Sequence, residues 1–352
     1  MYNRSPWGNY LAILLPVIMA TIFYAPVLFD NQIQIHGEGI SHGIPLMDML
    51  SQALHGEHSA LWTDKMYGGH PIFAEGQGAF AHPVNMVVAW LFSPVLAYNL
   101  FPWVCSILAG VGTYGLCRSF SCSAASSLFA TVAVVFSTLW IGGRSNPSVG
   151  GAITWVPWAL WSMNHWLTRA DIRSACIFGL AMSLMILAGY PHIVHGTVIY
   201  LGVYLLTCLG FRSKRNVWLV SAKNRLWTGA IAVALCAGLS AVQWIPLLEL
   251  VAESHRSSGI GLVKFGQIPL EHWLRGLLYS FDETPSGAGS GGVIAPSYFP
   301  IMGSLLVCIV ASTVVFAGRR VEPVAHLVAA GFLVLLGCGD TTRLFNFIYD
   351  LH

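Results

Sequence analysis

Apolar residues in this chain fall into ten runs set between polar stretches: Tyr10–Phe29, Val84–Tyr98, Trp103–Leu116, Ala124–Ile141, Ala152–Leu167, Ala175–Ala188, Ile193–Leu209, Gly229–Leu250, Tyr298–Ala317 and Val324–Cys338. A helix rises ~1.5 Å per residue, so roughly 20 apolar residues cross the ~30 Å hydrocarbon core of a bilayer. The pattern predicts an all-α, polytopic integral membrane protein. Two segments break it: residues 30–82 and 251–297 are long and polar. Loops of that length between helices are uncommon unless they serve a function. The first has a periodicity of its own. Leu46, Met47, Leu50 and Leu54 recur at near-helical spacing, with Asp48, Ser51 and Gln52 between them. This predicts a short amphipathic helix, lying on the membrane interface or packed on the protein's own outer face.

Lysine and arginine positions orient the spans, because short basic loops stay in the cytoplasm. Residues 211–227 carry Arg212, Lys214, Arg215, Lys223 and Arg225, while Arg169 with Arg173, and Arg319 with Arg320, mark two further basic loops. Two apolar runs separate each of these loops from the next, so all three share one side. Upstream, Arg4 and Arg169 on that side require an even number of crossings, yet five runs lie between them. Val84–Tyr98 is short and contains Pro94. It is the run expected not to cross, which also leaves Arg118 in the cytoplasm. The expectation is about nine transmembrane helices in a single domain over residues 1–352 of a multi-pass cytoplasmic membrane protein. Its N-terminus is cytoplasmic and its long loops, 30–82 and 251–297, are extracytoplasmic. The first run is too long for the ~7–15-residue core of a signal peptide and is read as an uncleaved helix.

Composition agrees. The 352 residues are 55% hydrophobic and 9% charged, against about 25% charged in soluble domains. A net charge of +2 without a basic arm gives nucleic acid nothing to bind. The eight cysteines lie in or beside apolar runs, where they read as small packing residues rather than a disulfide framework. No phosphate-binding loop, G-x-S-x-G elbow or CxxC pair occurs. No internal repeat is visible.

Candidate chemistry gathers in the first loop. It holds Asp30, Glu38, Asp48, Glu57, Asp64 and Glu75 against one base, Lys65, together with six of the 13 histidines. Glu38 sits between Gly37 and Gly39, which permit close approach of a ligand to the backbone. A carboxylate there suits general-base work on a hydroxyl. His55 and His58 are one turn apart, but Gly56 weakens a helix between them and no H-E-x-x-H spacing occurs, so no transition-metal site is expected.

The loop reads His36-Gly37-Glu38-Gly39, then the amphipathic helix, Leu61-Trp62, Gly68-Gly69-His70-Pro71, and Gln77 through His82-Pro83-Val84-Asn85. Farther on come Ala188-Gly189-Tyr190-Pro191-His192 and Gln243-Trp244-Ile245-Pro246 leading to Glu249 and Ser254-His255-Arg256. In order and spacing these segments resemble the YfhO-type membrane proteins of the GT-C-like glycosyltransferase superfamily, over the amino-terminal half of that family's length.

The resemblance implies a first outer loop carrying interfacial helices. It also implies inverting transfer of a sugar from a polyprenyl-phosphate-linked donor to a cell-envelope glycopolymer, lipid or protein acceptor. It places Glu38 as the catalytic carboxylate, where family members carry Asp, with Asp64 as a second catalytic candidate. Trp62, His70, Gln77, His82, Asn85 and His192 are then candidates for substrate binding. Arg144 and Arg256, whose planar guanidinium forks suit phosphate oxygens, are candidates for the lipid phosphate. Tyr190 and His192 stand where the family has His and Gln. No certain cofactor is implied; a divalent cation, Mg or Mn, held by carboxylates and a diphosphate is compatible. Trp62 and Trp155 are candidates for stacking on a sugar ring, although packing is the expected role of Trp155, Trp158, Trp161 and Trp166. The family's greater length implies that this chain is a fragment of a longer one. Two other readings stay open: a transporter, which needs ionisable groups near the bilayer midplane, and a catalytically inactive, truncated membrane protein.

Overall fold

A computed structural model describes residues 6–30, 32, 39–137, 143, 146–211, 222–254, 326 and 328–332. It is mostly helical, and among the described residues there is no strand beyond an isolated bridge between Thr63 and His70. Among the described residues, three helices are long and apolar enough to cross a membrane: Pro94–Ser119, Pro191–Cys208 and Lys223–Glu253.

The first apolar run divides. Helix α1 covers Pro6–Phe23, and α2 restarts at Ala25–Phe29. Pro26 has no N–H to donate to the Ile22 carbonyl, so the chain breaks at Tyr24. The same effect shapes the second run. Helix α5 covers only Pro83–Leu91, and Pro94 opens a new helix, α6, that continues through the third run to Ser119. Nine residues rise about 14 Å, under half of a bilayer core, so α5 cannot cross one by itself. The following helices are α7 (Ala124–Val135), α8 (Pro147–Arg169), α9 (Ile172–Leu187), α10 (Pro191–Phe211) and α11 (Ala222–Glu253). Before α5 come α3 (Gly43–Leu54) and the single turn α4 (Ile72–Glu75).

The chain forms two compact units. In the first, α11 packs on α9, α9 on α8, α8 on α6, and α6 on α1 and α7. Helix α8 lies inside this row. It has the length to span a membrane but carries Asn164, His165 and several Ser and Thr, and one side of it faces other helices. Its tryptophans fill helix contacts. The Trp158 indole donates to the Leu108 carbonyl at 2.9 Å and lies over Gly112, where a Cβ would come within 2.6 Å of the ring nitrogen. Trp166 donates to Thr228 Oγ1 at 2.9 Å. Six described cysteines are free thiols, as expected of packing residues.

Hydrogen bonds fix which helix ends lie together. Asn164 Nδ2 donates to Ser119 Oγ at 3.2 Å, and Arg225 donates to the Leu167 carbonyl at 3.1 Å. Arg118, Arg169, Arg173 and Arg225 therefore share one end of the unit. The first loop covers the other end, with α3 and α5 on α6 and α4 on α11. Helix α3 is the amphipathic helix anticipated from the sequence. Its apolar face is turned inward: Leu46, Met47 and Leu50 are each at most 2% exposed, buried where α3 meets α5 and α6. Of the two surfaces it could have covered, it covers the protein's own.

The second unit includes α10 from His195 onward and residues 326 and 328–332. There His326 is buried, accepts or donates a 2.6 Å hydrogen bond with the Tyr200 hydroxyl, and stacks on Tyr204 with ring centres 4.3 Å apart.

Candidate functional site

Three separate stretches of sequence meet at the loop end of the first unit. Gly76, at the end of α4, and Gly189, just after α9, both take positive φ, +81° and +77°. Their backbones touch so closely that a Cβ on Gly189 would overlap the Gly76 carbonyl. Only glycine on both sides permits this approach. From α11, Gln243 reaches the same place, 1% exposed, with Nε2 donating to the Phe73 carbonyl at 3.2 Å. The A-E-G-Q, A-G-Y-P and Q-W-I-P segments thus form one junction.

Next to it the loop is tied down by buried polar groups. Asn85 Nδ2 donates to the carbonyls of Gly78 and Ala79 at 2.8 and 3.2 Å, and Ala79 itself is held at φ +51°. His82 is wholly buried beside Phe101. The Trp155 indole N–H donates to its Nε2 at 2.8 Å. An indole only donates, so His82 Nε2 accepts and the ring proton sits on Nδ1. Burial lowers the pKa of His82 to about 4, keeping it neutral. His82 and Asn85, expected at the substrate, are both fully buried, and Trp155 is half-buried against His82.

Two other groups are reached by solvent, the first of them only in part. His70 Nε2 and Glu75 Oε2 are 2.8 Å apart, and Gln77 Nε2 donates to Glu75 Oε1 at 2.9 Å. Glu75 so engages His70 and Gln77 with one oxygen each. When the carboxylate accepts the Nε2 proton, the imidazole lone pair falls on Nδ1, an arrangement able to take a proton from a hydroxyl. His70 and Gln77 are candidates from the sequence and Glu75 is not; the spacing of the three around the single-turn α4 is the signal that joins them.

The second group lines a half-open cavity of about 300 Å³ between α3 and residues 58–72. Met49 and Ile72 contribute apolar wall, and Gln52, Asp64 and Lys65 contribute polar wall. Trp62 stands in it 56% exposed. Lys65 Nζ donates to Gln52 Oε1 at 3.4 Å, and Gln52 Nε2 donates to Asp48 at 2.8 Å. His192 is exposed, its ring 5.2 Å from that of Tyr190. Glu38, Arg144 and Arg256 lie outside the described residues, as do His36 and nearly all of 251–297. Among the described residues no group of three or more His, Cys, Asp or Glu is placed to hold a metal ion.

No protein-family model matches the chain, and no curated protein matches it in sequence.

Proposed function

We propose that this chain is a YfhO-type, GT-C-like membrane glycosyltransferase that moves a sugar from a polyprenyl-phosphate-linked donor to an acceptor in the cell envelope. The observation that carries this reading is the junction of Gly76, Gly189 and Gln243. Two segments on which the family resemblance rests, those of Gly189 and Gln243, are far apart in sequence yet meet at Gly76, next to the Gln77–Asn85 segment, at one end of one helical unit, under a loop with exposed Trp62 and Asp64 and part-exposed His70 and Glu75.

The orientation belongs to the same proposal. Nine crossings with the N-terminus in the cytoplasm put the arginine-bearing end of the first unit inside and the loop outside, where a lipid-linked sugar is presented. Glu38 is the catalytic carboxylate and Asp64 its partner in the loop; Arg144 and Arg256 meet the lipid phosphate. A divalent cation, Mg or Mn, is compatible with diphosphate-bearing donors.

The test is transfer by the purified chain from polyprenyl-linked sugars. Glu38→Gln abolishes transfer while membrane insertion and abundance stay normal. Transfer at the wild-type rate by that variant refutes the assignment. Impermeant cysteine reagents on intact cells reach a probe near residue 38 and not one near 214; the reverse pattern overturns the orientation. One observation favours a transporter instead: His326, buried against Tyr200 and Tyr204, is an ionisable group in an apolar run.

A further inference from the structure

We infer that the cavity between α3 and residues 58–72 is a carbohydrate subsite in which a pyranose ring stacks on Trp62 and hydrogen-bonds to Asp64, Gln52 and Lys65. This rests on the glycosyltransferase reading and names the part of the chain that holds the sugar.

Trp62 is the largest side chain in the cavity wall and more than half exposed. Leaving an indole in water forgoes its burial gain, so an exposed indole calls for either a partner or a reason to be fixed. It is fixed. The Thr63 N–H donates to the His70 carbonyl at 2.9 Å and the His70 N–H to that of Thr63 at 2.7 Å, closing residues 63–70 into a tied loop. Gly69, at φ +131°, lies against the indole so closely that a Cβ there would sit 2.7 Å from Trp62 Cζ2. The loop backbone thus supports the ring on one side and leaves the rest of it open.

The surroundings select the ligand. A sugar has an apolar C–H face and a rim of hydroxyls, each a donor and an acceptor. Asp64 offers acceptors only, Lys65 donors only and Gln52 both, so the wall can meet hydroxyls in either role. Asp64, Ser59 and Gln52 make the surroundings of the ring polar. Asp64 also speaks against a bare phosphate as occupant.

The experiment uses the full chain in nanodiscs, because many detergents carry sugar head groups. Saturation-transfer NMR is recorded with methyl glycosides of glucose, galactose, mannose and N-acetylglucosamine. At least one glycoside shows transfer to its ring protons. Trp62→Ala weakens its binding about tenfold, the loss that ~1.4 kcal/mol of stacking produces. Trp62→Phe retains part of the signal, and Asp64→Asn weakens it. Tyr67→Ala, which removes an aromatic ring 82% exposed in the same loop, leaves it unchanged. Binding that Trp62→Ala does not alter, or no Trp62-dependent signal with any of the four glycosides, overturns the inference. Quenching of Trp62 fluorescence by brominated lipids, read as the difference from Trp62→Phe, also overturns it by placing the ring in the bilayer. Trp62-dependent binding without sugar transfer upholds the subsite and sinks the transferase. Transfer with unchanged KM in Trp62→Ala does the opposite.

Discussion

Replacing Gly189 by alanine tests the junction on which the site is built, and Gly68 supplies an internal control. The two residues have almost the same backbone, φ +77° and +76°. Holding an L-residue there costs about 1–2 kcal/mol in either case. Their surroundings differ. A Cβ on Gly68 meets nothing within 4 Å, whereas one on Gly189 overlaps the Gly76 carbonyl oxygen and lies 2.7 Å from its carbon and 2.8 Å from its Cα. The obstacle is backbone on both sides, so no side chain can swing away. Restoring an ordinary 3.4 Å contact to that carbon already requires the two segments to part by roughly 0.7 Å, and the nearer oxygen requires more, at an overpacking cost of about 1–3 kcal/mol. The displaced segment includes Phe73, so the 3.2 Å bond from Gln243 is also weakened, for about 1 kcal/mol more.

Gly189→Ala should therefore destabilise by roughly 3–6 kcal/mol and Gly68→Ala by roughly 1–2. Gly76→Ala should resemble the first, since its Cβ would lie 2.8 Å from the Gly189 carbonyl oxygen. Fluorescence-detected size exclusion after heating reads the order: Gly68→Ala melts just below wild type, and Gly189→Ala and Gly76→Ala well below it. If Gly189→Ala melts with Gly68→Ala, the close backbone crossing is not a feature of the folded protein, and the convergence argument fails with it.

Two further outcomes follow from the buried polar groups. Between its unfolded pKa of 6.5 and its folded value of about 4, His82 binds more protons unfolded than folded, so its contribution is intact above pH 6.5 and is lost as pH falls toward 4. The loss approaches about 3 kcal/mol. Melts at pH 7.5 and 4.5 show it in wild type, and His82→Gln, which still accepts from Trp155, removes that part of the acid loss; equal pH dependence in both refutes the assignment. Asn85→Ala strips the Gly78 and Ala79 carbonyls of their side-chain donor and lowers stability by about 1–3 kcal/mol, read by the same melts; an unchanged melt would mean that the 78–79 turn does not depend on Asn85.

Much of the fold was legible because it depends on local rules. Pro94 breaks the run expected not to cross, and the spacing of Leu46, Met47 and Leu50 marks an amphipathic helix in any setting. Pro26 divides a first run that reads as one helix in sequence, while Pro16, Pro102, Pro157 and Pro246 lie inside helices, so proline alone does not mark a break. The spacing did not say which surface α3 would cover, because lipid and the flank of α6 are equally apolar. Polar residues in the loop looked alike in sequence: nothing local distinguishes His82 and Asn85, sealed under the loop, from the part-exposed His70 and Gln77. The meeting of Gly76 with Gly189 was invisible for a similar reason. Each glycine, read alone, ends a helix, and only the packing of α9 and α11 brings the two turns together.

A loop of more than 40 residues cannot hold reacting groups within fractions of an ångström by its own turns, because each free residue adds about 1–2 kcal/mol of conformational entropy to be overcome. Here the loop is anchored to the helices: His82 against α6 and α8, with Asn85 of α5 holding residues 78–79 beside it, and Gln243 of α11 and Gly189 after α9 at another point. Trp62, Asp64, His70 and Glu75 lie between or beside those anchors and are not needed to hold the loop to the helices. Substitutions should therefore separate into two classes. Changes at the anchors lower stability and, through it, every function of the loop together. Changes at the other four residues leave the melt in place and alter binding or turnover alone. A chain in which both classes lowered stability equally would have no such frame, and the loop would be a lid on the bundle rather than a site.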